Sequence, residues 1–535
     1  MSDGTVEVGV SNEVRNGASG DGARTVSSAH ANGTADAPVG SQASDSRPPD
    51  LGSRTSDPGP RTSLPADRLE VLKGWGGAVE STAYVYRPSS VEQVGEAFRA
   101  ARAAGRSALG GTVTLRGAGR SYGDAALGRE NVVIDFTRMN RILAWDAKAG
   151  VITCEPGVTI QQLWNYTIED GYWPPVVPGT MFPTLGGVLG MNIHGKNAFH
   201  AGTIGDHVLA FDFLAASGEA FHVERERDDE LFHSIIGSFG MLGCFTSITL
   251  QMKRVYSGDL DVRVYVTKDL HELFAVYERE IPNSDYLVGW IDAFASGKAL
   301  GRAVVHRANY LPPGVDPTPV QTLRLSHQNL PDTIMGLIPK SIVWRFLRPF
   351  TNAPGMAFVN WAKFWSAKVS PRKQLRQAHA AFAFLLDYVP DWKRSYGEGG
   401  LIQFQSFIPK ERAEATFRKQ LELCQKEGMV PLLAVFKQHK PDRFLMTHAV
   451  DGFSLALDFK VTAKNRAQLW KLTEKLNQIV LDVGGRFYMA KDATLTAEAF
   501  RKYLGEETLA KFRSLKHRFD PDNILESQLS NRLFG

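Results

Sequence analysis

An uncharged segment in the middle of the chain constrains the fold most strongly. Residues 171–195 contain no Asp, Glu, Lys or Arg, and their number is sufficient for a membrane-spanning helix. The same residues include four prolines and six glycines, which break a helix at that density. A spanning helix is therefore excluded. The segment predicts irregular backbone inside a soluble protein, and such backbone requires a structural or functional explanation.

The N-terminal residues differ in composition from the rest of the chain. The first 64 residues contain no Phe, Trp, Tyr or Ile and consist mainly of Gly, Ser, Ala, Asp, Arg, Thr and Pro. Such a sequence buries too little apolar surface to offset the entropy of ordering it. We therefore expect a disordered tail over residues 1–66, followed by roughly two to four domains. No charged start followed by an apolar run occurs, so no secretory signal is predicted.

Charge and cysteine content exclude several functional classes. The net charge of +4 comes from 61 basic and 57 acidic residues, which predicts no nucleic-acid partner. The three cysteines form no CxxC pair, so neither a disulfide scaffold nor a thiolate zinc site is expected, and reduced thiols fit a cytoplasmic protein. No metal site is predicted either, because the spacing of His194, His200 and His207 matches no ligand pattern.

The pattern of strands and helices predicts an α+β fold in two unequal units. Up to about residue 257 the strands are short and include a hairpin over 208–216 and 220–223. From residue 258 the elements become longer, and amphipathic helices alternate with strands. The principal helices and strands predicted there are 411–426, 464–482, 401–407 and 452–461.

A glycine-rich loop, residues 117–123, follows a predicted strand over 112–116. Its glycines allow backbone N–H groups to approach an anion closely. Its third glycine, Gly123, lies one residue too late for the dinucleotide-binding fingerprint. Taken alone, the loop fits either a phosphate-binding site or an ordinary glycine-rich turn.

Two further segments favour a bound cofactor. Residues 178–180, 184–187 and 190–197 combine repeated glycines with small polar side chains, which allows bare backbone to lie against a large flat ligand. Wrapping a cofactor would therefore account for the irregular backbone of residues 171–195. Residues 484–492 place Tyr, Lys and Asp together after two glycines.

The three segments together resemble the vanillyl-alcohol-oxidase superfamily of FAD-dependent enzymes. Residues 119–124 are similar to its pyrophosphate loop. Residues 177–197, with Ala201 and Gly202, resemble most closely the branch of decaprenylphosphoryl-ribose oxidases, and the similarity continues through 403–405, 435–437 and 488–492. The superfamily also contains aldonolactone and alditol oxidases.

The resemblance implies a PCMH-type FAD-binding domain that is split by a substrate domain. The FAD-binding domain would cover residues 67–257, and a substrate (cap) domain with an antiparallel sheet would cover 258–485. Residues 486–535 would return to the FAD-binding domain.

The resemblance also implies a set of residues around non-covalent FAD. Many relatives attach the flavin through a histidine of the pyrophosphate loop, and Arg120 occupies that position here. The implied cofactor-binding residues are Leu115, Arg116, Gly117, Ala118, Gly119, Arg120, Ser121, Tyr122, Gly123, Asp124, Ala125, Gly179, Thr184, Leu185, Gly186, Gly187, Met191, Asn192, Ile193, His194, Phe245, Tyr488 and Lys491.

Lys491, His194 and Tyr122 are the catalytic candidates that follow from the resemblance. Hydride transfer to a flavin builds negative charge at N1 and the C2 oxygen, where a lysine ammonium would stabilise it. A histidine in this place either orients or deprotonates an alcohol, or only packs on the cofactor. Asp492 is expected to pair with Lys491. The implied substrate contacts are Tyr122, His194, Lys196, Gln403, Gln405 and Lys437.

One position departs from the branch. Ala456 stands where the decaprenylphosphoryl-ribose oxidases carry a cysteine beside the pocket. Substrate contacts near this position are therefore left open, and thiol-directed inhibition should not transfer to this chain.

The implied activity is oxidation of a secondary alcohol of a sugar. In the branch that the chain resembles, the alcohol is the 2′-hydroxyl of a polyprenyl-phosphate-linked ribose, a precursor of cell-wall arabinan. A partner short-chain reductase would convert the keto product to the epimer. Alditol or aldonolactone oxidation is the alternative, followed by flavin-dependent reduction of a sterol double bond. A non-catalytic adaptor for a membrane or polyanion is the alternative from a different class.

The basic aromatic stretch, residues 333–386, allows two interpretations. It contains eight Lys or Arg residues, no Asp or Glu, and many interleaved aromatic residues. It could rest on an anionic lipid surface, which would place a cytoplasmic protein at the inner face of the membrane. Alternatively, it forms a helical cap with its aromatic residues in the core. The second interpretation is favoured because Pro349 and Pro354 interrupt any long helix.

Overall fold

The computed structural model describes residues 64–106, 109–330, 332–334, 338–370 and 373–534. The predicted disordered tail, residues 1–66, therefore lies outside the described residues except for its last three. In the part of the chain that is described, no helix is long and apolar enough to cross a membrane.

Two small sheets belong to the first half of the described chain. The first is mixed, with one antiparallel and two parallel pairs. The second is antiparallel, and its last two strands confirm the predicted hairpin. In spatial order the strands of the first sheet are Leu69–Lys73, Glu80–Tyr86, Val132–Asp135 and Val113–Arg116. Those of the second are Ile142–Asp146, Val151–Cys154, Gly243–Gln251, Val208–Ala215 and Ala220–Glu224.

The second half of the chain contributes a large antiparallel sheet of eight strands. Its presence confirms the predicted α+β class with an antiparallel sheet in the second unit. In spatial order the strands are Gln374–Ala378, Asp259–Thr267, Ala303–Tyr310, Tyr286–Ile291, Leu433–His439, Gly452–Lys460, Leu401–Pro409 and Arg486–Phe487. Short two-stranded pairs join Tyr172–Trp173 to Lys253–Arg254 and Thr333–Ile334 to Ile338–Pro339.

Helices pack against these sheets. The predictions over 411–426 and 464–482 are confirmed within two residues at each end. The α-helices of eight or more residues are Val91–Ala104, Ile160–Thr167, Leu270–Glu280, Lys340–Leu347, Ala353–Val369, Lys410–Lys426, Arg466–Leu481, Ala497–Leu504 and Glu506–Phe519. Shorter ones are Leu185–Gly190, Asp229–Ile235, Pro319–Thr322, Leu325–Gln328, His379–Ala383 and Gln528–Leu533.

The uncharged segment, residues 171–195, is irregular and buried, as predicted. Its regular structure is limited to the short strand Tyr172–Trp173 and the single helix Leu185–Gly190, and the side chains of Trp173 and Leu185 are fully buried. Neighbouring loops satisfy its backbone: Leu185 N–H donates to the Val158 carbonyl at 2.8 Å, and Ile160 N–H donates to the Pro183 carbonyl at 3.0 Å. Such pairing is what makes irregular backbone tolerable in a protein interior.

The basic aromatic stretch contains two α-helices of eight or more residues, Lys340–Leu347 and Ala353–Val369; Pro349 lies between them and Pro354 lies in the first turn of the second, so no single long helix forms, as predicted. Its aromatic side chains are divided between core and surface: Phe364, Phe382 and Phe384 are buried, so the favoured interpretation is wrong only for the exposed ones. Phe346, Phe358 and Trp361 are 60%, 58% and 50% exposed. The reason is that the second helix packs mainly through the face that carries Asn360 and Phe364, so its other face meets solvent.

The C-terminal residues pack against the first sheet. Val113 N–H donates to the Ile524 carbonyl at 2.7 Å, and Glu526 N–H donates to the Val113 carbonyl at 2.9 Å. The Arg532 guanidinium binds both Asp124, at 2.8 Å, and Asp492, at 2.8 Å. The strand Arg486–Phe487 belongs to the eight-stranded sheet. The domain boundaries at 257/258 and 485/486 stay predictions.

Replacing Arg532 with Leu should destabilise the protein, because two largely buried carboxylates would lose their shared cation. We expect the free energy of unfolding to fall by about 3 kcal/mol, measured by urea denaturation. Arg513→Leu is the matched control: its guanidinium is 57% exposed and lies 3.7 Å from Glu506, so the loss should stay below about 1 kcal/mol. Equal losses in both variants would show that Arg532 makes no special contribution.

Candidate active site

One large cavity brings together most of the residues that the sequence singled out. It is bounded by the glycine-rich loop, the uncharged segment and the eight-stranded sheet. The predicted residues in its wall are Leu115, Arg116, Gly117, Ala118, Gly119, Arg120, Ser121, Tyr122, Ala125, Gly179, Thr184, Gly186, Gly187, Met191, Ile193, His194, Lys196, Phe245, Gln403, Gln405, Lys437, Tyr488 and Lys491.

Four of the predicted cofactor residues do not line the cavity. Leu185 is fully buried in the core, and Asp124 binds Arg532. The side-chain Oδ1 of Asn192 accepts from Gly205 N–H at 3.0 Å. A Cβ at Gly123 would overlap with the Asp492 carbonyl, so glycine permits the loop to approach that residue. These four residues contact other parts of the protein and stabilise the structure around the cavity.

The glycine-rich loop presents unused backbone donors to the cavity. Among the described residues, the N–H groups of Gly119, Arg120 and Ser121 donate to no backbone or side-chain acceptor. The Arg120 guanidinium lies 5.1 Å from the Phe182 ring, and its buried Nε also has no partner in the described chain. Donors of this kind fit the oxygens of a diphosphate.

Thr184 shapes the same part of the cavity. Its Oγ1 accepts from Ala118 N–H at 3.4 Å. A Cβ at Gly117 would overlap with that hydroxyl oxygen, so only glycine permits the loop to lie against the uncharged segment. The two glycine-rich segments predicted from the sequence are therefore in direct contact.

One face of the eight-stranded sheet forms the opposite wall. Adjacent strands place Gln405 opposite Ala456, and Ala456 opposite Val435. Gln405 Nε2 donates to Ser454 Oγ at 3.2 Å and lies 3.2 Å from His194 Nε2. Alternation along each strand thus aims several polar side chains into the cavity.

Lys491 is buried against the Tyr122 ring, with Nζ 3.8 Å from the ring centroid. Burial lowers the pKa of Lys491, the Asp458 carboxylate opposes this shift, and Lys437 reinforces it. Burial likewise raises the pKa of Asp458, whose carboxylate accepts a hydrogen bond from Gln403 Nε2. The pKa of Lys491 is thus lowered while that of Asp458 is raised, which brings the two pKa values closer together.

The expectation that Asp492 pairs with Lys491 is wrong. Asp492 instead binds Arg532 and accepts hydrogen bonds from the N–H groups of Thr494, at 3.0 Å, and Leu495, at 2.9 Å. The reason is the turn over residues 489–491, in which the N–H groups of Lys491 and Asp492 both donate to the Tyr488 carbonyl, so the adjacent side chains meet different neighbours.

His194 lies in a buried cluster of rings. Its ring centroid is 4.8 Å from that of His439, 5.4 Å from that of His448 and 5.1 Å from that of Tyr488. Burial, with added repulsion from Lys437, holds the pKa of His194 well below its usual value. The imidazole is therefore neutral at neutral pH. If Gln405 donates to Nε2, the ring proton is on Nδ1, which is buried without a partner among the described residues, and His194 is then a donor rather than a base.

Lys196 supports the wall of the cavity. Its Nζ donates to the carbonyls of Phe382 and Ala383 at the end of the helix His379–Ala383. Burial lowers the pKa of Lys196 to about 7. Its predicted contact with substrate stays a prediction.

Sequence reasoning missed Asp458, His439 and His448. A signal existed for Asp458, which is the one acidic residue of the buried strand Gly452–Lys460. His439 follows Lys437 by two residues and therefore shares its face of the strand. His448 lies in a loop, and no local pattern marks it.

Comparison with known proteins identifies the family. A family model described as an FAD binding domain matches residues 82–224. Decaprenylphosphoryl-beta-D-ribose oxidase of Mycolicibacterium smegmatis is 30% identical over 471 residues, which cover 86% of this chain and 97% of that protein. An uncharacterized FAD-linked oxidoreductase of Mycobacterium tuberculosis is 30% identical over 182 residues, 33% of this chain and 39% of that protein. D-arabinono-1,4-lactone oxidase of Eremothecium gossypii is 24% identical over 187 residues, 34% of each.

The chain belongs to the vanillyl-alcohol-oxidase superfamily, the FAD-linked oxidoreductases with a PCMH-type FAD-binding domain. It is an FAD-dependent oxidoreductase, as the sequence predicted. The free N–H groups of residues 119–121 and the Arg120 guanidinium would hold the pyrophosphate of FAD. Tyr488, Lys491 and His194 would lie on the flavin side of the cavity.

The flavin should be bound without a covalent link. Arg120 cannot form the bond that a histidine forms in many relatives, and burial raises the pKa of the Cys244 thiol in the cavity wall to about 12, so it is not nucleophilic at neutral pH. Acid precipitation of the yellow protein should release all flavin to the supernatant, as measured by absorbance. Colour that stays with the pellet would contradict this prediction.

Proposed function

We propose that this oxidoreductase converts the 2′-hydroxyl of a polyprenyl-phosphate-linked ribose to the keto form. The observation that carries the proposal is the polar sheet face of the cavity, where Gln403, Gln405 and Lys437 project toward Lys491. Near full-length similarity to a protein named decaprenylphosphoryl-beta-D-ribose oxidase supports the choice of substrate class. A short-chain reductase acting as a partner would then complete an epimerisation.

Hydroxyl recognition would depend on the two glutamines and one lysine. Each glutamine amide can both donate and accept, which matches the hydrogen-bonding capacity of a sugar hydroxyl. The pKa of Lys437 is lowered to about 8 by burial, so its ammonium persists at neutral pH and donates. Ser454, opposite Lys437 in the register, fixes Gln405 by a hydrogen bond.

Bound FAD supplies a hydride acceptor, its N5 atom. Lys491 supplies the proton chemistry on the protein side. Because burial lowers its pKa, a neutral Nζ is accessible near neutral pH and can take the hydroxyl proton while the C–H bond breaks. The resulting ammonium then stabilises the negative charge that develops beside it. Asp458 stabilises that ammonium in turn, and Tyr122 holds the lysine chain in place.

Alditol or aldonolactone oxidation is the second candidate. It is favoured by the similarity to D-arabinono-1,4-lactone oxidase, which however extends over only 34% of this chain. Alditols and aldonolactones carry hydroxyls that the same glutamines could bind, but they have no phosphate. A comparison of substrates with and without phosphate therefore separates the two candidates.

Anaerobic bleaching of the flavin tests the proposal. We expect polyprenyl phosphoribose to bleach the wild-type protein faster than any alditol or aldonolactone. Replacing Lys491 with Met retains most of the side-chain volume but removes the amine, and loss of one such preorganised group should slow bleaching roughly 100- to 1000-fold. The variant must first be shown to contain a full complement of flavin.

Lys437→Met is the matched control, because it also removes a buried lysine from the cavity. It should mainly raise the substrate concentration needed for half-maximal bleaching, since Lys437 contacts substrate in ground and transition states alike. Wild-type bleaching rates in loaded Lys491→Met would contradict the role of Lys491. Faster bleaching by an aldonolactone would favour the second candidate.

We also propose that the basic aromatic stretch rests on an anionic lipid surface. Trp361 and Trp365 are exposed on the second helix of the stretch, and Phe350 is exposed just before it. Exposed aromatic rings combined with basic side chains and no acidic ones match the chemistry of an anionic bilayer interface. A polyprenyl substrate would be delivered from that surface.

Sedimentation with phosphatidylglycerol vesicles should detect this contact. The wild-type protein should sediment with anionic vesicles but not with neutral phosphatidylcholine vesicles. Replacing Trp361 and Trp365 together with Ser should release most of the bound protein, because interfacial aromatic area would be lost. Tyr166 and Tyr256 are exposed aromatic residues outside the stretch, so their double replacement with Ser is the control. Equal effects of both pairs would contradict a specific surface.

A further inference from the structure

Lys363 extends from the second helix of the basic aromatic stretch into the cavity. Its Nζ lies 3.3 Å from the ring centroid of Trp290. The Trp290 Nε1 donates to Asn360 Oδ1 at 2.6 Å, which fixes the ring against the same helix. Lys363, Trp290 and His306 all line the cavity that holds the site. The lysine is thus directed inward, while the exposed tryptophans of the helix face outward.

The charge of Lys363 has no counter-charge among the described residues. In the described chain, its Nζ has neither a hydrogen-bond acceptor nor a carboxylate within ion-pair distance. The described wall of the cavity contains four lysines and two arginines but no Asp or Glu. Burial lowers the pKa of Lys363 to about 7, and burial with Lys363 and Lys196 nearby lowers that of His306 to about 4. Burying an unpaired cation costs several kcal/mol, so a ligand with negative charge is the natural partner.

The register of the eight-stranded sheet places Trp290, which the lysine covers, one strand away from Lys437 of the proposed sugar-binding face. Trp290 pairs with Val435, which in turn pairs with Ala456 beside Gln405. Trp290 is therefore on the strand next to the one that carries Lys437, a separation of about 4.8 Å. A phosphate attached directly to the anomeric carbon of a ribose would lie about one strand away from the ring.

We propose that Lys363, together with Trp290 and His306, forms a binding subsite for the phosphate group of the substrate. The Lys363 ammonium supplies the charge, and the neutral imidazole of His306 supplies a hydrogen bond. This inference rests on the proposed function for the identity of the substrate. The subsite itself would bind any phosphate monoester or diester that carries an apolar chain.

Farnesyl phosphate is the probe, because it carries the phosphate and a prenyl chain but no sugar to oxidise. Its dissociation constant is measured by calorimetry on the flavin-loaded protein. Lys363→Met should weaken binding about 10- to 100-fold, since a charged hydrogen bond is lost. Lys363→Arg should bind nearly as wild type, because it retains the charge. Lys368→Met is the control: Lys368 is exposed on the same helix, and its Nζ lies over Trp365.

The neutral alcohol farnesol separates the effect of charge from that of shape. It should bind wild type and Lys363→Met equally. Because Lys363→Met removes a desolvated charge, its flavin content and thermal midpoint should not fall. Lys363→Gln is a second neutral variant. Wild-type affinity of both neutral variants for farnesyl phosphate, or an equal loss in Lys368→Met, would overturn the subsite.

The subsite and the proposed function can fail separately. Farnesyl phosphate binding that depends on Lys363, without oxidation of polyprenyl phosphoribose, would support the subsite and contradict the proposed function. Oxidation of polyprenyl phosphoribose with a KM unchanged in Lys363→Met would support the function and overturn the subsite.

Discussion

An excess of positive charge in the wall of one cavity is the constraint on which the arrangement of this protein depends. Six cationic side chains line the described wall of one cavity, and no carboxylate lines it with them. Each such charge costs free energy that a hydrophobic side chain would not. The cost is offset when ligands bring the anions: a diphosphate at the glycine-rich loop and developing negative charge beside Lys491. Asp458, just behind the wall, is the internal counter-charge of Lys491. It opposes the lowering of the Lys491 pKa by burial.

Rigid elements hold these charges in place. The three strands that carry Gln405, Ala456 and Val435 are paired along their length, so side chains on one face keep fixed spacings. The glycine-rich loop is held differently: it contacts Thr184, Tyr122 N–H donates to the Ala490 carbonyl, and Gly123 lies close against the Asp492 backbone. Preorganised donors of both kinds need no rearrangement during the reaction, which is the main source of electrostatic catalysis.

The sequence predicted those parts of the site that local chemistry determines. Neighbouring residues are enough to predict the glycines that allow close approach, the irregular segment and the alternating polar residues 403 and 405. Partners that are distant in sequence could not be predicted in this way: Asp492 binds Arg532, and the Asp458 carboxylate raises the pKa of Lys491. The exposed aromatic residues of the basic aromatic stretch were misjudged for a related reason. Composition shows that a helix has an apolar face, but only tertiary packing shows which face is covered.

The ion pair between Asp124 and Arg532 joins residues that are 408 positions apart. Asp124 directly follows the glycine-rich loop, and Asp492, the other partner of Arg532, directly follows Lys491. During synthesis, the first sheet and its loop emerge long before the residues that tie them to Lys491. Contacts of such high sequence separation form late in folding. The order of events therefore matters for the cofactor. Before residue 532 has packed, the loop could meet a diphosphate, but the contacts that close the chamber are incomplete, so we expect stable flavin loading only after Arg532 has joined Asp124 and Asp492.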